Sequence, residues 1–246
     1  MYLVLVSFAA LLLGGCDKTW VVTYDGAAEA RAGDALVDIV LTSDRDDSYV
    51  FEGSGREVRV TAAPTNAAAN MRALFWPASA PSVTDSQSCA TWTGQTEEGS
   101  VQQGAALRVR TDGAGKTRAI TVTKNIFFGF DSIFNVHVWD TSRTPPSAGV
   151  VQLDMIKPLR EKPFPWHMCA RVIGPLLTIR VWAGDEPEPV WGDGLHDASA
   201  ALPPGWVYEG RAGWYIGHLP PGGFAGFADL ETWKYEVDGV GPAAPE

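Results

Sequence analysis

Alternation governs this chain. Six segments place apolar residues at every second position: Ala35–Leu41, Glu57–Thr61, Ala106–Thr111, Arg118–Thr123, Ile133–Trp139 and Leu176–Trp182. Period two, with β-branched and aromatic residues at the apolar positions, is the signature of strands with one buried face. Gly53-Ser54-Gly55, Thr144-Pro145-Pro146 and Pro220-Pro221-Gly222-Gly223 supply turn chemistry between such runs. Asp112-Gly113-Ala114-Gly115 lies directly between two alternating runs and predicts a hairpin. Only Gly26–Asp34 and Thr65–Ala73 read as helical, and both are short. Many strands with little helix predict an all-β antiparallel sandwich or barrel. No repeat or linker divides it, so one domain is expected over 35–238, followed by a flexible tail at 239–246.

Within Ile133–Trp139, alternation puts Phe134, Val136 and Val138 on one face, expected inward. Asn135, His137 and Trp139 then form a row of amide, imidazole and indole on the other. Ten Trp are present, and a Trp ring offers both apolar area and a polar N–H. The row is therefore a candidate ligand-binding surface, against the plainer reading that it packs beneath a covering loop.

The 19 Lys and Arg against 29 Asp and Glu give a net charge of −10 with no basic run, which excludes a nucleic-acid partner. The same charge disfavours anionic surfaces in general.

Residues 3–13 form an apolar run interrupted by Ser7, too short to span a bilayer and suited to the core of a signal peptide. Leu13-Gly14-Gly15-Cys16 follows and resembles the bacterial lipobox. The resemblance implies a signal peptide at 1–15, cleavage before Cys16 and diacylglyceryl and palmitate-type acylation there. A lead-in tether would occupy 16–34. The expected partner is then the lipid bilayer, and the expected place the extracytoplasmic face of the cell membrane. The run lacks a preceding Lys or Arg, and a buried N-terminal strand with Cys16 in a core is the competing reading. In an exported chain the two remaining cysteines, Cys89 and Cys169, are expected to form one disulfide, with two separate buried thiols as the alternative.

The second half carries a further resemblance. Arg171-Val172-Ile173-Gly174 precedes Leu177-Thr178-Ile179-Arg180-Val181-Trp182. Glu186-Pro187-Glu188-Pro189 and Trp191 follow, then Gly213-Trp214-Tyr215-Ile216-Gly217 and Phe227-Ala228-Asp229-Leu230. Over residues 136–235 this resembles the closing half of a concanavalin A-like (laminin G-like) jelly roll. The resemblance implies a jelly-roll sandwich and a concave sheet face on which glycans lie. It leaves activity open, because the fold hosts lectins, binding modules, glycosidases and adhesion modules.

Glycosidases of that fold carry carboxylates as Glu-x-Asp-x-x-Glu or Glu-x-Asp-x-Glu on one strand, and neither pattern occurs here. The acidic stretch 185–189 contains two prolines and reads as a loop in which Glu188 accepts a hydrogen bond or pairs with an Arg. Asp229 and Glu231 lie two apart and read as solvent-facing carboxylates on a last strand. His137, His167, His196 and His218 are scattered without zinc spacing. Asp44, Asp46 and Asp47 on a short loop suit calcium, though a solvated acidic turn is the simpler reading. The expectation is a non-catalytic, membrane-anchored sandwich binding glycan or another cell-envelope component. A carbohydrate-active enzyme and a purely structural module are the alternatives.

Overall fold

In a computed structural model, residues 18–25, 35–54, 57–125, 133–143, 150–156 and 163–237 are described. They form fifteen strands: β1 (Lys18–Tyr24), β2 (Leu36–Thr42), β3 (Tyr49–Ser54), β4 (Glu57–Ala62), β5 (Arg72–Pro77), β6 (Ser86–Gln95), β7 (Gln102–Thr111), β8 (Thr117–Asn125), β9 (Ile133–Asp140), β10 (Val150–Ile156), β11 (Trp166–Ile173), β12 (Leu176–Ala183), β13 (Asp197–Ala201), β14 (Arg211–Gly217) and β15 (Phe224–Val237). All pairings are antiparallel. One sheet runs β13-β12-β11-β6-β15-β4-β3, with β1 also on β15, and the other runs β10-β9-β8-β7-β14-β5-β2. The expected all-β antiparallel sandwich is the fold. Each of the six alternating segments lies in a strand, save for Ala35, the first residue of one of them, and residues 112–115 close the β7–β8 hairpin with Gly115 at φ 73°.

The inner faces meet in one core. Phe134, Val136 and Val138 are 1%, 0% and 1% exposed, on the inward side that alternation assigns them. Trp92 and Trp166 of neighbouring β6 and β11 pack edge to face, ring centroids 3.7 Å apart. Phe75 bridges the sheets, touching Trp214 on its own sheet and Phe227 on the other. Aromatic pairs of this geometry add about 0.5–1.5 kcal/mol each beyond their buried area.

One expectation is corrected. Thr65–Ala73 is not a helix. Residues 64–70 turn, and β5 begins at Arg72. Local side-chain bonds win there: Asn66 exchanges two hydrogen bonds with the Ser48 backbone, and Asp47 Oδ1 accepts from the Ala67 N–H at 2.6 Å. The lead-in at 16–34 contains a strand, β1, paired with the last residues of β15. Its Trp20 packs with Trp233 on the outer face, where an exposed tether would leave both rings in water. The signal peptide, Cys16, Gly26–Asp34 and the tail at 239–246 lie outside the described residues.

Two one-residue irregularities shape the outer face of the eight-stranded sheet. Between Trp92 and Gly94, β6 carries one residue more than its partner β15, so Thr93 is bulged. Between Ala228 and Glu231 the excess is on β15, and Asp229 there adopts φ 48°. A positive φ is uncommon outside glycine, and Asp is among the residues that tolerate it. Bulges re-aim side chains, and these two flank the same stretch of the outer face.

Candidate functional site

The outer face of the eight-stranded sheet holds an open cleft of about 320 Å³. Its floor is the Cys89–Cys169 disulfide, which joins directly opposed residues of β6 and β11. This is the disulfide expected from the cysteine count. Alternation sends Trp92 and Trp166 into the core and turns Thr91 and His167 out beside the disulfide. Bulged Asp229 brings its carboxylate to the same place.

These three side chains form a chain of hydrogen bonds. Thr91 Oγ1 donates to Asp229 Oδ2 at 2.9 Å and lies 2.7 Å from His167 Nδ1. A hydroxyl has one hydrogen. With that hydrogen given to Asp229, the oxygen accepts from the His167 Nδ1–H, which leaves Nε2 as the lone-pair nitrogen. Burial holds the His167 pKa below the ordinary histidine value, against the opposing pull of Asp229 and Glu188. The ring is thus a neutral acceptor at pH 7. It stacks on Trp182, centroids 5.0 Å apart and 23° between planes.

Three further carboxylates line the cleft. Glu186 and Glu188 come from the loop after β12, and Glu231 from β15. Glu186 Oε2 accepts from the Ala183 N–H at 2.8 Å, fixing the turn that leaves β12. Glu188 pairs with Arg180, whose side chain is fully buried and also donates to Pro189 O. The pairing expected of Glu188 is therefore present. The guanidinium carbons of Arg180 and Arg171 lie 4.3 and 4.1 Å from the Trp191 ring centroid. These cation–π contacts hold the loop over the sheet. Glu231 is half-buried. Desolvation raises its pKa, and the negative Glu188 and Asp229 reinforce the rise against a hydrogen bond from Trp233.

Trp182 is buried, 7% exposed, against His167 and against Arg180, 5.1 Å from its centroid. The polar groups that the cleft presents are acceptors: carboxylates, a hydroxyl and an imidazole nitrogen. Such a set suits a ligand rich in hydroxyl or ammonium donors.

The row expected from β9 lies on the outer face of the other sheet. Asn135 is 4% exposed, Trp139 is 3% exposed and His137 is half-buried. Trp139 Nε1 donates to Thr121 Oγ1 at 2.8 Å, and Trp139 lies opposite Ala119 in the buried apolar cluster that runs across this face through Ala106 and Tyr215 to Leu74 and Trp76. Asn135 Oδ1, His137 Nδ1 and the adjacent Thr123 Oγ1 are buried with no hydrogen-bond partner among the described residues. Burial and the charge of Arg72 push the His137 pKa down to about 4.

On the expected calcium loop, Asp47 is spent on Ala67 N–H, and Asp44 accepts from Asn70 Nδ2. Among the described residues no group of three His, Cys, Asp or Glu could hold a metal ion.

The sequence reading missed the cleft. Thr91 and His167 carry no motif, and Asp229 reaches Thr91 across 138 residues of chain. The one available signal was the pair of cysteines, which placed β6 beside β11.

No protein-family profile and no curated protein matches the chain. Among solved structures it is similar to a carbohydrate-binding module, CBM66, from Bacillus subtilis, with TM-score 0.50, 11% identity, 80% of this chain and 95% of that one covered. At that identity the likeness concerns the fold. The exoplasmic/lumenal domain of VIP36 in its Ca2+/Man3GlcNAc-bound form aligns with TM-score 0.48 and 11% identity, covering 80% and 87%. A legume lectin-like domain from Entamoeba histolytica aligns with TM-score 0.48 and 10% identity, covering 79% and 90%.

Proposed function

We propose that this chain is a non-catalytic glycan-binding module that holds its ligand in the cleft above the Cys89–Cys169 disulfide. The observation that carries the reading is the convergence of fixed acceptors on one open cleft. Thr91 sets both Asp229 and the His167 tautomer, and Glu231 faces them. Preformed acceptors bind hydroxyl groups without the entropy loss of ordering them in the complex. Glu186, Glu188 and Asp229 are each tied to a partner in the protein, which supports a recognition role over an acid–base role. The fold shared with a carbohydrate-binding module is consistent with this reading.

The experiment is a glycan array and calorimetry on the full chain with Asp229→Asn and Glu231→Gln. Asn also tolerates a positive φ, so the bulge is kept while the charge is lost. Each variant is expected to bind at least tenfold more weakly than wild type. Unchanged binding in both, or no glycan bound by wild type, overturns the reading.

A second reading has its own observation. The unpartnered polar atoms of Thr123, Asn135 and His137 would gain from a ligand hydroxyl in the row with Trp139. Loss of binding in Asn135→Leu with Asp229→Asn unaffected would move the site there.

The lipid anchor at Cys16 belongs to the same proposal. β1 begins at Lys18, so an acylated Cys16 would hold the β1–β15 edge close to the bilayer, with the cleft on the same sheet. Intact mass of the exported protein tests it. An unmodified Cys16 still joined to Gly15 rejects the anchor and leaves the glycan reading standing.

A further inference from the structure

A second groove lies on the same outer face, beside the cleft. It encloses about 550 Å³ and is bounded by β3, β4, β6 and β15. Its floor is backbone. Gly94 of β6 opposes Gly226 of β15, and Gly226 opposes Arg59 of β4. A Cβ at Gly226 would come within 2.5 Å of Thr93 Oγ1, so glycine there lets the bulged Thr93 side chain lie over β15. At Gly94 a Cβ would meet nothing within 4 Å, so that glycine leaves open space above the sheet. Glycine where another molecule approaches the main chain is a recurring use of the residue.

One wall is an amphipathic plate. The guanidinium of exposed Arg59 lies 3.6 Å from the centroid of the Phe224 ring. Glu52, directly opposite Arg59 on β3, adds an acceptor beside it. The groove thus offers donors and acceptors together, where the cleft offers acceptors.

The two depressions are consecutive along the same strands. On β6 the cleft uses Thr91 and the groove uses Thr93 and Gly94; on β15 the cleft uses Asp229 and Glu231 and the groove Gly226. From Thr91 to Gln95 a strand advances about 13 Å, more than one sugar ring. The bulge at Thr93 sits at the junction.

We infer that the groove is a second subsite, so that the ligand is an oligosaccharide chain lying along β6 and β15, with one unit in the cleft and the next over Gly94. This rests on the glycan reading of the cleft and adds the ligand's class. The acidic cleft, on a protein of net charge −10, repels a polyanionic glycan, and the ligand inferred is a neutral oligosaccharide.

The test measures affinity by calorimetry and NMR titration on the full chain. The probes are mono- to hexasaccharides of four neutral series: β-1,4-glucan, β-1,4-xylan, α-mannan and chitin. Wild type is expected to gain at least tenfold from one unit to four in the series it binds. Gly94→Leu fills the groove at a position with room for the side chain and should abolish that gain while leaving monosaccharide affinity unchanged. Arg59→Ala should do the same in part, and serves if the leucine variant is poorly folded. Affinity independent of chain length, or a length gain that survives both variants, overturns the second subsite and leaves the cleft reading intact. Binding of none of the four series overturns both.

Discussion

Removing the disulfide beneath the cleft separates what holds the sandwich together from what binds. Cys89 and Cys169 are 80 residues apart and lie opposite each other on adjacent strands. In the chain-entropy model, closing a loop of that length raises the free energy of the unfolded state by about 4.5 kcal/mol. For a domain of this size that corresponds to a fall in Tm of roughly 9–18 °C. Two perturbations are compared: reduction of the native protein, which keeps both sulfurs, and the Cys89→Ala/Cys169→Ala variant, which also empties volume under the cleft. Urea unfolding and calorimetry read the stability, and calorimetric titration with a glycan that wild type binds reads the proposed function. Both perturbations should lower stability by several kcal/mol. Affinity should change by less than threefold, because seven ladder pairings between β6 and β11, from Trp166–Trp92 to Val172–Ser86, keep Thr91 opposite His167 without the sulfurs. A Tm within about 2 °C of wild type in both cases would refute the loop-closure reasoning. A stability loss accompanied by complete loss of binding would show that the ladder alone does not hold the site.

Further predictions concern buried polar groups. His137 has a folded pKa near 4 against an ordinary 6.5, so the unfolded chain binds the extra proton in between. Stability should therefore fall by about 3 kcal/mol as pH drops from 6.5 to 4, with no further loss from this group below that, and His137→Phe should flatten that part of the urea-midpoint profile. Asn135→Leu removes a buried acceptor that has no partner among the described residues and should raise stability by about 1–2 kcal/mol; destabilisation of that size in urea would show that the amide is satisfied. Thr91→Val keeps the side-chain shape and removes the hydroxyl between Asp229 and His167. It should cost about 1–2 kcal/mol in urea unfolding and change the His167 ring nitrogen shifts in NMR, whereas unaltered shifts would show that Thr91 does not set the tautomer.

Fold was legible where the signal is local. Half-buried strands impose period two on the sequence directly, so β2, β4, β7, β8, β9 and β12 could be read residue by residue, as could the Asp112–Gly115 hairpin. The inward set Phe134, Val136 and Val138 followed from pleating. β6 was not legible. Its core-side residues include Ser88 and Ala90 as well as Trp92, and Ser88 is satisfied by donating to Gly213 O across the sandwich at 2.5 Å. A strand whose inner face is partly polar shows no alternation, and its partners come from distant parts of the chain.

The sequence by itself determined that this chain is antiparallel all-β and acidic, and it led to the expectation that Cys89 pairs with Cys169, because hydrophobic period, cysteine count and charge are properties of residues. Tertiary structure alone decided where the cleft lies. Thr91 and His167 meet only because β6 and β11 are neighbours, and Asp229 joins them only because β15 bulges into a positive φ that no glycine announces. The row Asn135, His137 and Trp139 shows the same division: alternation put the three on one face, and packing against the neighbouring residues of that sheet decided how much of each remains exposed. Side-chain direction is set within a few residues, whereas exposure and convergence depend on pairings made across the whole chain.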